Sequence, residues 1–128
     1  MNLLKLLTLS IILSISISSC ADRIVGKWNI ASYKKGKPGN ENVTASNIGS
    51  MRFKKNKSGE KEINVGILQN NVSDNRPFKW DSTESYLTIS GDNSEFSKTW
   101  IRVENKRKYQ LLKSTDGANN VQELELRK

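Results

Sequence analysis

Enzymatic chemistry needs a nucleophile, a base or a set of metal ligands, and this 128-residue sequence is sparing with all three. It has one cysteine, Cys20, and no histidine. A lone cysteine has no disulfide partner within its own chain. No imidazole is present to activate its thiol, and neither a second Cys nor a His is available to complete a zinc site. The carboxylates Asp74, Asp81, Glu84, Asp92 and Glu95 fall in or beside turn-rich stretches, where such groups commonly act as solvated caps. Two of them could flank a glycosidic bond, but that depends on a separation in space that sequence does not give. There is no glycine-rich phosphate loop and no EF-hand spacing. The expectation is a protein that is not an enzyme, with no catalytic residues, no metal and no cofactor.

Binding has more material than catalysis. Phe53, Phe78, Trp80, Trp100 and Tyr109 stand on different predicted strands. Such side chains line apolar pockets, and they equally serve to fill a core. They are the candidate ligand-binding residues. Trp100 has the opposite parity from Ile101 and Val103. Either a bulge lies there, or Trp100 faces outward between Lys98 and Arg102, where an aromatic could meet headgroups or a sugar.

The chain carries 21 basic and 13 acidic residues, a net charge of +8. Its lysines are spread over the stretches KKGK, KKNK, KEI, FKW and NKRK rather than gathered in one stripe. That pattern reads as a solvated basic surface. Its affinity would be for anionic neighbours such as phospholipid, lipopolysaccharide or acidic glycan. Nucleic acid is not expected as a partner, because the leader described next directs the chain out of the cytoplasm.

Residues 1–19 differ from the rest. Lys5 makes a short basic start, Leu6 to Ile17 is apolar with hydroxyls interspersed, and Ser18-Ser19 are small. This is the pattern of a signal peptide, too short and too broken for a spanning helix of about 20 apolar residues. Ile17-Ser18-Ser19-Cys20 resembles the bacterial lipobox. The resemblance implies cleavage before Cys20, a diacylglycerol thioether on its sulfur and an acylated new N-terminus. Cys20 would then be a lipid anchor, with residues 20–23 as a short tether. Losing Lys5 with the leader leaves 20 basic against 13 acidic residues, or +7.

From Ile24 onward the hydrophobic period is two. Alternation is visible at Ile24–Ile30, Met51–Phe53, Ile63–Ile67, Phe78–Trp80, Leu87–Ile89, Ile101–Val103, Tyr109–Leu111 and Leu124–Leu126. Between these runs lie Gly, Asn and Asp clusters, among them Lys57-Ser58-Gly59, Ser73-Asp74-Asn75, Ser90–Asn93 and Asp116–Asn119. Eight short strands with turns at steady spacing predict an all-β domain over 24–128, an antiparallel up-and-down meander closed into a barrel. One connection stands apart. Lys34 to Ser50 is long, polar and contains Pro38, which suits either a flap over the barrel mouth or a plain loop.

Gly26-Lys27-Trp28 on the first strand and Leu124-Glu125-Leu126-Arg127 on the last complete a pattern that resembles the lipocalin-like, or calycin, group. It is most similar to small lipocalin-like lipoproteins of Bacteroidetes-type bacteria. The resemblance implies a monomeric β-barrel at the outer membrane, binding a small apolar or amphipathic ligand. It also implies barrel closure by Gly26 and Trp28, with Arg127 packed over the Trp28 ring. If the barrel is filled by its own side chains, the alternative is a solid scaffold whose basic surface binds an envelope partner. Ala21-Asp22-Arg23 lacks the acidic cluster associated with surface export in such lipoproteins, which points to the periplasmic face. Asp81-Ser82-Thr83 resembles a short O-glycosylation acceptor of exported proteins, and also fits an Asx turn.

Overall fold

The structure, a computed structural model, describes residues 22–37, 40–67, 70–115 and 120–128. The leader 1–19, Cys20, Pro38 and the turn 116–119 lie outside the described residues. Nine strands follow one another: β1 (Gly26–Lys37), β2 (Asn40–Phe53), β3 (Ser58–Ile67), β4 (Asn70–Asp74), β5 (Phe78–Ser82), β6 (Tyr86–Ser90), β7 (Thr99–Asn105), β8 (Tyr109–Thr115) and β9 (Val121–Arg127). All pairings are antiparallel. The order β2-β1-β9-β8-β7-β6-β5-β3 closes on itself through β2–β3. This is an eight-stranded barrel with β4 as an additional strand, and closure leaves its ring without an edge.

The additional strand is an interrupted half of its successor. Going from the pair Ile63↔Asp74 to the pair Gly59↔Phe78, β3 retreats four residues while the opposing chain advances four. β4 and β5 therefore share one register on β3, parted at Asn75-Arg76-Pro77. Pro77 has no N–H to give a ladder, so the break falls where it removes least. Ser73-Asp74-Asn75, expected as a turn, is thus largely strand.

The predicted Lys34–Ser50 connection is not a loop. β1 and β2 run on as a hairpin, paired from Gly26↔Phe53 to Lys37↔Asn40. β3 accompanies β2 only from Phe53 to Gly49. At Gly49 the two backbones nearly touch: a Cβ there would sit 1.9 Å from the Glu62 carbonyl oxygen, and its φ is +149°. Only glycine permits that approach.

The meander puts both described termini and the turns β2–β3, β5–β6 and β7–β8 at one end, here the entry end. The other turns, including the β6–β7 loop 91–98, lie at the far end. Among the described residues, every strand and every buried apolar side chain falls between Ile24 and Arg127.

Buried polar side chains occur toward both ends of the barrel, Gln110 toward the entry end among them. Toward the entry end, Ile24, Trp28, Met51, Phe53, Trp80 and Leu126 are buried. Phe53 meets Phe78 and Trp80 edge to face, with centroids 5.3 and 5.8 Å apart, the arrangement ring quadrupoles favour. Toward the far end, Ser32, Lys61, Asp74, Asp92, Ser114 and Gln122 are buried. A barrel of this size has room for such side chains to fill it or for one small ligand.

Two strands present the opposite face from the one expected. Trp100 is fully buried, whereas Ile101 is 53 % and Val103 48 % exposed. On β8 it is Gln110, Leu112 and Ser114 that point inward, and Tyr109 and Leu111 that lie on the outer side.

Candidate functional site

At the far end the loop 91–98 packs into the barrel. Phe96 is buried against Tyr33, 5.3 Å between centroids and edge to face. The Trp100 indole N–H donates to the Phe96 carbonyl oxygen at 3.0 Å. The Ile89 amide donates to the Lys98 carbonyl oxygen at 3.0 Å.

Two ionic latches hold this loop. The first is centred on Lys61 of β3, whose residue is 2 % exposed. Its ammonium donates to an Asp92 carboxylate oxygen, to the Arg76 carbonyl oxygen at 3.0 Å and to Asp74 Oδ1 at 3.2 Å. Three donors meet three acceptors, which is all that a lysine offers. Asp92 also accepts from the Ser97 hydroxyl and, at 3.2 Å, from the Ser94 amide. Burial would raise the Asp74 carboxyl, but Arg76 and Lys61 together hold it below the usual carboxylate range. The second latch joins Glu95 to the Tyr33 hydroxyl at 2.7 Å and to Lys35 at 2.9 Å. Burial opposes ionisation of Glu95, and Lys35 and Tyr33 outweigh it, so its pKa too is lowered.

Asp74 and Asp92 are therefore not the solvated caps expected from their turn-rich surroundings; they are buried and paired. Lys61, expected in the solvated basic surface because Glu60-Lys61-Glu62 looks like any exposed charged stretch, is buried instead. Its partners are 13 and 31 residues away in the chain.

The entry end is closed by a different clamp. Arg102 points inward from β7 and grips Asp22 with both terminal nitrogens, each at 2.9 Å. The Ser82 hydroxyl donates to the same carboxylate, and the Ile24 amide donates to it at 2.9 Å. Burial pushes the Asp22 carboxyl up, but Arg102, Ile24 and Ser82 hold it far below its ordinary value. Asp22 and Arg23, expected in the tether, are thus bound to the barrel; Arg23 donates to the Asn105 carbonyl oxygen at 3.0 Å.

Barrel closure involves the expected Gly26 and Trp28 but a different cation. Trp28 is fully buried, and its indole N–H donates to the Ile24 carbonyl oxygen at 2.8 Å. Over its ring lies Lys128, with Nζ 4.7 Å from the centroid, not Arg127. Alternation explains the swap: Leu126 points in, so Arg127 points out, where it stacks on Tyr109 at 4.6 Å and pairs with Glu125. Gly26 makes room for Lys128, since a Cβ there would meet Nζ at 2.9 Å.

Of the candidate ligand-binding aromatics, Phe53, Phe78, Trp80 and Trp100 are all core. The Trp80 indole N–H is shared between the carbonyl oxygens of Lys54 and Ser58, at 3.1 and 3.0 Å. Tyr109 stands apart on the outer wall. It donates to Glu125 at 2.9 Å, and burial and that carboxylate push its hydroxyl up to about 12.

The carboxylates that touch hydroxyls are poor bases. Asp22 beside Ser82, and Glu95 beside Tyr33, are held ionised by cations, so neither is poised to take a proton near neutral pH. Among the described residues, no group of three or more His, Cys, Asp or Glu converges as a metal site. In Asp81-Ser82-Thr83, the Ser82 amide donates to Asp81 and its hydroxyl is engaged by Asp22. Comparison with family models, with curated proteins and with solved structures finds no match to this chain.

Proposed function

We propose that the chain is a lipid-anchored envelope lipoprotein whose lipocalin-like barrel is a packed scaffold, binding through its surface and loops rather than inside a lumen. The observation that carries this reading is the fate of the aromatics. Phe53, Phe78, Trp80 and Trp100 are buried against one another or against aliphatic neighbours, and all three indole N–H groups are spent on backbone carbonyls. A lumen built to hold an apolar ligand would keep such surface free and aim a few polar groups at it. The anchor reading rests on Ile17-Ser18-Ser19-Cys20. It places the domain at the outer membrane on the periplasmic face, with an anionic glycan, lipid or envelope protein as its partner and no catalysis.

Native mass spectrometry after gentle lipid extraction tests the scaffold reading. An empty barrel that also fails to take up a fluorescent apolar dye is the expected result. A co-purifying small molecule would overturn it in favour of a ligand-carrying barrel, entered by lifting the loop 91–98. Labelling with radioactive palmitate tests the anchor: label should appear on the wild type and vanish in Cys20→Ser.

A further inference from the structure

The fold gathers charges that the sequence scatters. The turn 54–57 (Lys-Lys-Asn-Lys) and the turn 106–108 (Lys-Arg-Lys) both close strands at the entry end. The Lys128 amide donates to the Lys108 carbonyl oxygen at 3.1 Å, bringing the last strand to the same place. Arg23 bonds to Asn105, one residue before the second turn. Three basic runs, separated by about 50 and 20 residues in the chain, therefore share one barrel end.

Part of this charge is neutralised locally. Lys54 pairs with Glu60, Lys57 with Asp81, Lys106 with Glu104 and Arg127 with Glu125. Arg23, Lys55, Arg107 and Lys108 are exposed and, among the described residues, have no carboxylate partner. Glu84 is the exposed carboxylate left at that end. The surplus is positive and faces along the barrel axis.

The same end is where the N-terminal lead departs. Asp22 is fixed to Arg102, and Cys20 lies two positions before it, with Ala21 between. Two residues span at most about 7 Å. Whether the apolar stretch 6–17 is retained or replaced by lipid on Cys20, a membrane-seeking element leaves the barrel beside this cationic rim.

We propose that the entry end is a docking face for an anionic phospholipid bilayer, so that the barrel stands on the membrane on its basic rim. The proposal rests on the membrane-anchoring part of the reading above. The lipid that this reading gives Cys20 would hold the chain to the membrane, and a basic rim would add the electrostatic contact that sets which end of the barrel meets the headgroups. The chemistry is that of ammonium and guanidinium groups against headgroup phosphates.

The test uses the chain from Asp22 onward, which contains all the described strands and the described core, its folding checked by a cooperative melt. Its sedimentation with phosphatidylcholine vesicles is measured with and without phosphatidylglycerol. Binding to the anionic vesicles alone, weakening as salt shortens the screening length, is expected. Arg107→Glu with Lys108→Glu should reduce it about tenfold or more. Lys34→Glu with Lys37→Glu, the same change in net charge at the far end, should leave most of it. Equal loss in both pairs would show unspecific attraction and overturn the docking face. So would equal binding to neutral vesicles, no binding to any vesicle, or binding to an acidic polysaccharide in place of vesicles. Because this chain lacks Cys20, the result is independent of the palmitate test: label without vesicle binding would sink the rim and spare the anchor.

Discussion

Replacing Lys61 with methionine isolates the energetic role of the far-end latch. The side chains are similar in length, so packing of the stem is kept and the charge alone is removed. Asp92 would be left fully buried with only the Ser94 amide and the Ser97 hydroxyl, and Asp74 would keep Arg76. Breaking a buried pair from one side costs about 3–5 kcal/mol, because the abandoned charge stays desolvated. Folding stabilities are roughly 5–15 kcal/mol in total. In urea, at about 1–3 kcal/mol per molar, the midpoint should fall by roughly 1–5 M. Asp92→Asn is milder, about 1–2 kcal/mol, since Lys61 keeps Asp74 and the Arg76 carbonyl oxygen. The double variant decides the matter. With Asp92 already neutral, losing Lys61 strands less charge, so the two costs should fall short of additive by about 0.5–3 kcal/mol. Additivity, or a Lys61→Met midpoint equal to wild type, would refute the latch.

Other outcomes follow from single contacts. Gly49→Ala should cost more than about 2 kcal/mol or prevent folding, because β2 and β3 must separate to admit a Cβ at a positive φ; chemical denaturation reads this. Lys128→Ala should lower stability by about 0.5–2 kcal/mol through loss of its place over Trp28, and Trp28→Ala by about 3–5 kcal/mol. If Arg127→Ala destabilises more than Lys128→Ala in thermal melts, the closure geometry is wrong. Tyr109 should ionise near 12 in an ultraviolet titration, and Tyr109→Phe should remove that step. Because the folded pKa lies above the ordinary 10.0, its contribution to stability is complete below pH 10 and is lost as pH rises toward 12.

The sequence revealed much of the fold where alternation was clean. Leu87 and Ile89 on β6, and Leu124 and Leu126 on β9, point inward as their parity demands. It misled where charge is inside. Arg102 looks like the solvent-facing member of Ile101-Arg102-Val103, yet its guanidinium is buried by Asp22, 80 residues away. That long-range pair reverses the face of β7. Gln110 did the same for β8: its amide nitrogen donates to Asn105 and to the Lys106 carbonyl oxygen, while its buried amide oxygen has no hydrogen-bond partner among the described residues. The β1–β2 hairpin was hidden for another reason. Beyond Gly49, β2 has β1 as its strand partner, so the exposed Thr44, Ser46 and Asn47 need no apolar rhythm. The latch was illegible because turn-rich carboxylates and a lysine between two glutamates carry no mark of burial until the loop folds over them.

The Asp22–Arg102 clamp also decides how the barrel would bear load. Tension entering at the N-terminal lead meets the two guanidinium bonds before it reaches β1. Opposed by a grip on the far-end loop, it then acts along β1, parallel to β2 and β9. Those ladders would be sheared rather than unzipped, with their hydrogen bonds strained together instead of one after another. A domain pulled at one end and held at the other would thus resist mechanically through the strand that also closes its ring.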